Sequence, residues 1–137
     1  MFEKILVPVD LTRKNERAVE TAAELAAAAG GEVALLHVIE PLDLPFEELE
    51  EFYAELERRA EEAMSGLAAR LKEAGLEPRM HVVYGDRARE IVAFAHEEGF
   101  DLVVLTSHEL QVEDPSSLGT ISHKVAVLSR TPVLLVR

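Results

Sequence analysis

Short, unbroken apolar runs alternate with long amphipathic stretches from one end of this chain to the other, and that alternation restricts the fold more than any other feature. A run of five or six residues that is apolar on both faces reads as a strand buried between two layers, and the stretches between such runs are long enough for helices. The pattern predicts repeated β-α-β units and hence a parallel sheet. With 137 residues, 48% of them apolar, the chain can build one continuous core and is expected to form one domain, residues 1 to 137.

Five strands fit the pattern. The first runs from Lys4 to Val9, and Asp10-Leu11-Thr12 then supplies polar helix-start residues for an alanine-rich helix that stops at Gly30-Gly31. Glu32 to Ile39 is the second strand, and Pro41 and Pro45 mark an irregular connection. From Phe46 to Ala74, apolar residues at Phe46, Leu49, Tyr53, Leu56, Ala60, Ala63, Leu67 and Leu71 recur at helical spacing. The other faces of that helix are packed with Glu and Arg, a solvated surface in which Glu55 and Arg59 stand four apart and support each other.

Gly75 closes the long helix, Arg79 to Tyr84 makes the third strand, and Gly85-Asp86 turns into a helix from Arg87 to Glu98. Asp101 to Thr106 is the fourth strand, Ser107 to Leu118 a loop too polar for the core, Thr120 to Ser129 the last helix and Val133 to Val136 the fifth strand. Right-handed crossovers leave few topologies for these elements. The expected architecture is a five-stranded parallel doubly wound α/β sheet of order 3-2-1-4-5. In that order the strand direction of travel reverses between strands one and four, so the loops beginning at Asp10 and Thr106 flank the crevice where open α/β sheets bind ligands.

Charge and composition exclude several classes of function. Twenty-six acidic residues against 14 basic ones give a net charge of -12, which repels nucleic acid and anionic membrane surfaces. Cysteine is absent, removing disulfides, thiolate metal sites and cysteine nucleophiles. The opening residues have neither the basic flank nor the long apolar stretch of a signal peptide or membrane span, so residence in the cytoplasm is expected. A single Asn, a single Gln and abundant Glu and Arg lean toward a thermophilic composition.

Four stretches together resemble the universal stress protein family over essentially the full length. Ile5-Leu6-Val7-Pro8-Val9-Asp10 is similar to that family's first strand and acidic turn, and Leu35-Leu36-His37-Val38-Ile39 to its second strand. Gly85-Asp86 with Glu98-Gly99-Phe100-Asp101-Leu102-Val103-Val104-Leu105 resembles its third crossover. Leu118-Gly119-Thr120-Ile121-Ser122-His123-Lys124-Val125, ending in Thr131-Pro132-Val133-Leu134-Leu135-Val136, resembles its C-terminal signature. The resemblance implies an ATP site marked by a glycine, two residues, a second glycine, nine residues, then Gly followed by Ser or Thr. Here those early glycine positions hold Thr106 and Glu109, and the final pair survives as Gly119-Thr120.

Glycines in such loops allow positive φ and a close approach of backbone to phosphate, which a β-branched Thr resists. Glu109, Glu113 and Asp114 add negative charge where a triphosphate would lie. One close like-charge pair costs about 1 kcal/mol in water and about 4 at intermediate dielectric, against about 8 kcal/mol for micromolar binding. The expectation is therefore a non-enzymatic protein with no required cofactor, binding ATP weakly or not at all and acting through contacts with a protein partner. The alternative keeps ATP or AMP in the crevice with Mg²⁺ bridging the phosphates to the acidic loop.

For that alternative the resemblance implies Asp10 near the nucleoside, Val38 meeting the adenine through its backbone, and Gly119 and Thr120 at the phosphates. Each residue also has a purely structural reading: helix caps for Asp10 and Thr120, a turn for Gly119, core packing for Val38. None of the five histidines stands with another at metal-ligand spacing, and no triad can be traced through His108, Glu113 or Asp114. Finally, Val133-Leu134-Leu135-Val136 would be an apolar sheet edge needing cover, and the resemblance implies a homodimer through this strand.

Overall fold

The computed structural model describes residues 1–107 and 120–137. Its elements follow in the order β1 (Lys4–Pro8), α1 (Asn15–Ala29), β2 (Glu32–Ile39), a 3₁₀ turn (Phe46–Glu48), α2 (Glu50–Glu73), β3 (Arg79–Tyr84), α3 (Arg87–Glu97), β4 (Leu102–Thr106), α4 (Ile121–Leu128) and β5 (Val133–Val136). All five strands join one parallel sheet of order β3-β2-β1-β4-β5, the order expected from the sequence. The central strands are buried on both faces because each sits under helices on either side: Ile5, Leu6, Val7, Leu35, Leu36, Val103 and Val104 are all fully buried.

Alternate residues of these strands point into two separate cores. Ile5, Val7, Leu35 and Val104 pack with the alanines of α1 and with Met64, Leu67 and Leu71 of α2. Leu6, Leu36, Val38, Val103 and Leu105 pack with Ala88, Ile91 and Ala95 of α3 and Val125 of α4. The side-chain period of two in a strand makes this division unavoidable once helices cover both faces.

Two helix starts differ from the sequence reading. α1 begins at Asn15 rather than beside Thr12, because the Asp10 carboxylate is taken up in a turn of its own: Oδ1 accepts from the Thr12 N–H (3.0 Å) and hydroxyl (2.7 Å). The long helix starts at Glu50, after the 3₁₀ turn. Its buried stripe is Tyr53, Ala60, Met64, Leu67, Ala68 and Leu71, whereas Phe46 stays exposed. α3 and α4 start as expected, capped by Asp86 accepting from the Arg89 N–H (3.0 Å) and by Thr120 accepting from the His123 N–H (3.4 Å). Among the described residues no helix is long and apolar enough to cross a membrane.

Candidate functional site

The carboxyl ends of β1 and β4 part around a cleft of about 100 Å³, at the point where the sheet order reverses. Its walls are built from both cores: Val9, Leu36, Val38, Leu105 and Ile121 are apolar, while Asp10, Asn15, Arg87, Thr106 and Ser122 bring polar atoms. An apolar hollow with a few convergent polar groups is the usual form of a small-molecule site.

Asn15 holds the two rims together. It is buried, its Oδ1 accepts from the Asp10 N–H (3.0 Å), and its Nδ2 donates to the Thr106 hydroxyl (3.3 Å). That hydroxyl in turn donates to the Lys14 carbonyl (3.3 Å). One side chain therefore ties the end of β1, the start of α1 and the end of β4. Between Asp10 and Thr12, Leu11 takes a left-handed φ of 69°, a conformation that costs an ordinary residue about 1–2 kcal/mol. Strain of this kind persists where surrounding contacts over-determine the backbone, and here it lies on the cleft rim.

Arg87, the first residue of α3, lines the cleft from the opposite side. Its backbone N–H donates to the Glu40 carboxylate (3.2 Å). Its Nε is buried and has no hydrogen-bond partner among the described residues. A buried orphan donor costs about 1–3 kcal/mol, more when charged, so it calls for an explanation by something the site receives.

A second hollow shares Thr106 with the first and is lined by Arg13, Lys14, Arg17, Ser107 and Arg137, along with Glu16 and Glu20. The two carboxylates are drawn toward Arg70 of α2, Glu20 at 2.6 Å and Glu16 at 3.3 Å. On a chain of net charge -12, four cations, three at or just before the start of α1 and one just after β5, thus gather beside the end of β4.

The residues expected from sequence fare differently. Asp10 and Val38 both line the cleft, Val38 at 2% exposure, so its side chain serves as core and wall together. Thr120 is the N-cap of α4, and its hydroxyl lies 3.3 Å from that of Ser122, which faces the cleft. Gly119, Glu109, Glu113, Asp114 and His108 lie outside the described residues. Thr106 is the last residue of β4, in the strand and paired with Val136. Sequence reasoning missed Asn15 and Arg87. The first had a signal, being the only asparagine of the chain and placed in the helix-start region. The second had none, since only the crossover through β3 swings α3's first residue over the sheet end.

Among the described residues no three metal-ligating side chains come together, and the Mg²⁺ alternative rests on acidic residues outside them. Among the described residues no histidine or lysine lines the main cleft. His37 instead engages the Val9 carbonyl (2.9 Å), and His81 tilts against Phe94 with ring centroids 4.9 Å apart.

Residues 1–137 match the universal stress protein family throughout. The chain belongs to that family. It is 28% identical to universal stress protein YxiE of Bacillus subtilis over 148 aligned positions, covering all of both chains. It is likewise 28% identical to universal stress protein MJ0577 of Methanocaldococcus jannaschii, covering all of this chain and 96% of that one. The solved structure of MJ0577 superposes with a TM-score of 0.84, covering 99% of this chain and 96% of the other. A universal stress protein solved in complex with cAMP is 25% identical, with a TM-score of 0.75 over 98% of this chain and 96% of that chain.

Proposed function

We propose that this universal stress protein is a non-enzymatic binder of an adenine nucleotide with a short phosphate, such as AMP or cAMP, and that ATP binds weakly. The observation that carries the reading is the buried, unpartnered Nε of Arg87 in an apolar cleft at the sheet's reversal point. A ligand with a flat apolar ring would fill the Val38, Leu36 and Leu105 walls, and an acceptor on it would satisfy the orphan donor. Its phosphate would face the Thr106 end, where Arg13, Lys14 and Arg17 gather. The cAMP complex of a relative supports this choice of ligand. Glu109 at a position where ATP-binding relatives carry glycine argues against a longer phosphate chain.

A thermal scan tests this. Ligand at a hundred times its dissociation constant adds about 2.7 kcal/mol, several degrees of Tm for a domain of this size. AMP and cAMP are expected to give that shift, Mg-ATP a much smaller one, and Arg87→Ala to abolish it. Equal shifts with ATP, or none with any nucleotide, would overturn the reading.

We further propose that the protein is a homodimer through β5. Among the described residues that strand pairs only with β4, and its Leu134 and Leu135 are exposed, as are Val127 and Leu128 of α4, leaving an apolar edge that a second copy would cover. Sedimentation is expected to show a dimer that Leu134→Lys with Leu135→Lys converts to a monomer. A wild-type monomer would refute it.

A further inference from the structure

The connection from β2 into α2 is as exposed as any part of the molecule and yet rich in large apolar side chains. Leu42, Leu44, Phe46 and Phe52 are each about half exposed. Three of them meet at Tyr53, itself buried. Its hydroxyl accepts from the Leu42 N–H (2.7 Å), Phe46 stacks on its ring at 5.4 Å, and Phe52 tilts against it at 5.6 Å. Tyr84 closes the cluster from β3, edge-on at 5.6 Å. The backbone is thus organised to display these side chains rather than to hide them.

The segment that carries this patch is strongly acidic. Between residues 40 and 57 the chain has eight acidic residues and no Lys, Arg or His. Glu55 is paired with Arg58 and Arg59 and Glu57 is hydrogen-bonded to the Tyr84 hydroxyl. Among the described residues Asp43, Glu47, Glu48, Glu50 and Glu51 make no ion pair. The carboxylates near the start of α2 favour the helix dipole, but that does not account for three leucine and phenylalanine side chains standing in water ahead of it. An apolar centre with a charged rim is the anatomy of a docking surface.

We infer that this surface docks a basic amphipathic segment of a protein partner, one that lays an apolar stripe on Phe46 and Phe52 and presents Lys or Arg to the acidic rim. Charge complementarity selects the occupant. A second copy of this chain would bring a like-charged rim against this one, and anionic lipid would be repelled for the same reason. Basic helices that lie in apolar grooves are a known mode of recognition. The inference is independent of the nucleotide reading, since none of these residues lines the cleft.

The test uses the full chain, isotope-labelled for NMR, with a synthetic helical peptide of alternating leucine and lysine stripes and its leucine-glutamate counterpart. The basic peptide is expected to shift the backbone amides of residues 42–57, with binding that weakens as salt rises. Phe46→Ser with Phe52→Ser leaves the charge untouched and is expected to weaken binding at least about tenfold. The triple variant Glu47→Gln, Glu48→Gln, Glu51→Gln, which keeps side-chain size, is expected to do the same and serves if the serine variant fails to fold. The inference is overturned if the basic peptide does not bind or shifts amides elsewhere, or if the acidic peptide binds as well. Unchanged binding by a folded variant would also overturn it, as would a wild-type self-association at this patch that the serine pair dissolves.

Discussion

The amino and carboxyl ends of the sheet are built from the same five strands and handled in opposite ways. At the amino end the strand starts are tied down by satisfied polar contacts. The Asp101 carboxylate accepts the Glu3 and Lys4 N–H groups (2.9 and 3.1 Å), and the Lys4 ammonium sits over the Phe100 ring and bonds the Glu98 carbonyl. Gly31 lies so close to Glu3 that a Cβ would come within 2.4 Å of the backbone oxygen. At the carboxyl end the strands part, Leu11 is held in a left-handed conformation, and Arg87 keeps an unpaired buried donor. Stability is concentrated where contacts are satisfied, and binding capacity where they are not.

The sharpest way to break this contrast is Gly31→Ala. The added methyl meets backbone, which cannot step aside as a side chain would, so the loss in denaturant-measured stability is expected to be about 1–3 kcal/mol or more. Relative affinity for nucleotide in the folded protein should stay as it was. A neutral effect would mean that the amino end is looser than its contacts imply.

Arg87→Ala is the mirror image and the next in size. It removes an orphan donor, so the melting temperature without ligand should hold or rise while the nucleotide-induced shift disappears. A loss of stability without loss of binding would make Arg87 a structural residue and erase the distinction between the two ends.

The smallest effect concerns Tyr84, the last residue of β3. Burial, and then its hydrogen bond to Glu57, push the phenol up to about 12. Because the folded form holds its proton more tightly than the unfolded chain, this contribution is fully present below about pH 10 and fades between pH 10 and 12. With only two tyrosines and no tryptophan, absorbance titration resolves it. A late phenolate step near pH 12 should vanish in Tyr84→Phe, and a single step at the ordinary tyrosine value would show that the carboxyl-end contacts of β3 are open to water. At the opposite extreme of pH, hydrogen bonds from Arg58 and Arg59 hold the Glu55 carboxyl down at about 2, so that exposed cluster persists well into acid.

The strands, their order and both helical layers were readable in the residues because burial on two faces leaves a local trace, an unbroken apolar run. The short run Leu102-Val103-Val104-Leu105 needed no neighbour to be recognised, and β4 contains all four. Helix starts were less legible. Asp10-Leu11-Thr12 has the composition of an N-cap, but the Asp10 carboxylate finds Thr12 first and the helix waits until Asn15. Phe46 has the right spacing for the buried stripe of α2, but Pro45 and the 3₁₀ turn rotate it outward onto Tyr53.

What the amino-acid order determined alone was therefore the sheet, its reversal point and the family. Periodicity is a property of neighbours in the chain, and neighbours settle it before the chain closes. The gathering of Arg13, Arg17 and Arg137 beside Thr106 was decided only by the tertiary structure. So were the placing of Arg87 in one cleft with Val38 and the collection of Leu42, Phe46 and Phe52 around one tyrosine. Those groupings depend on where right-handed crossovers return each element, a geometry that sequence spacing does not encode.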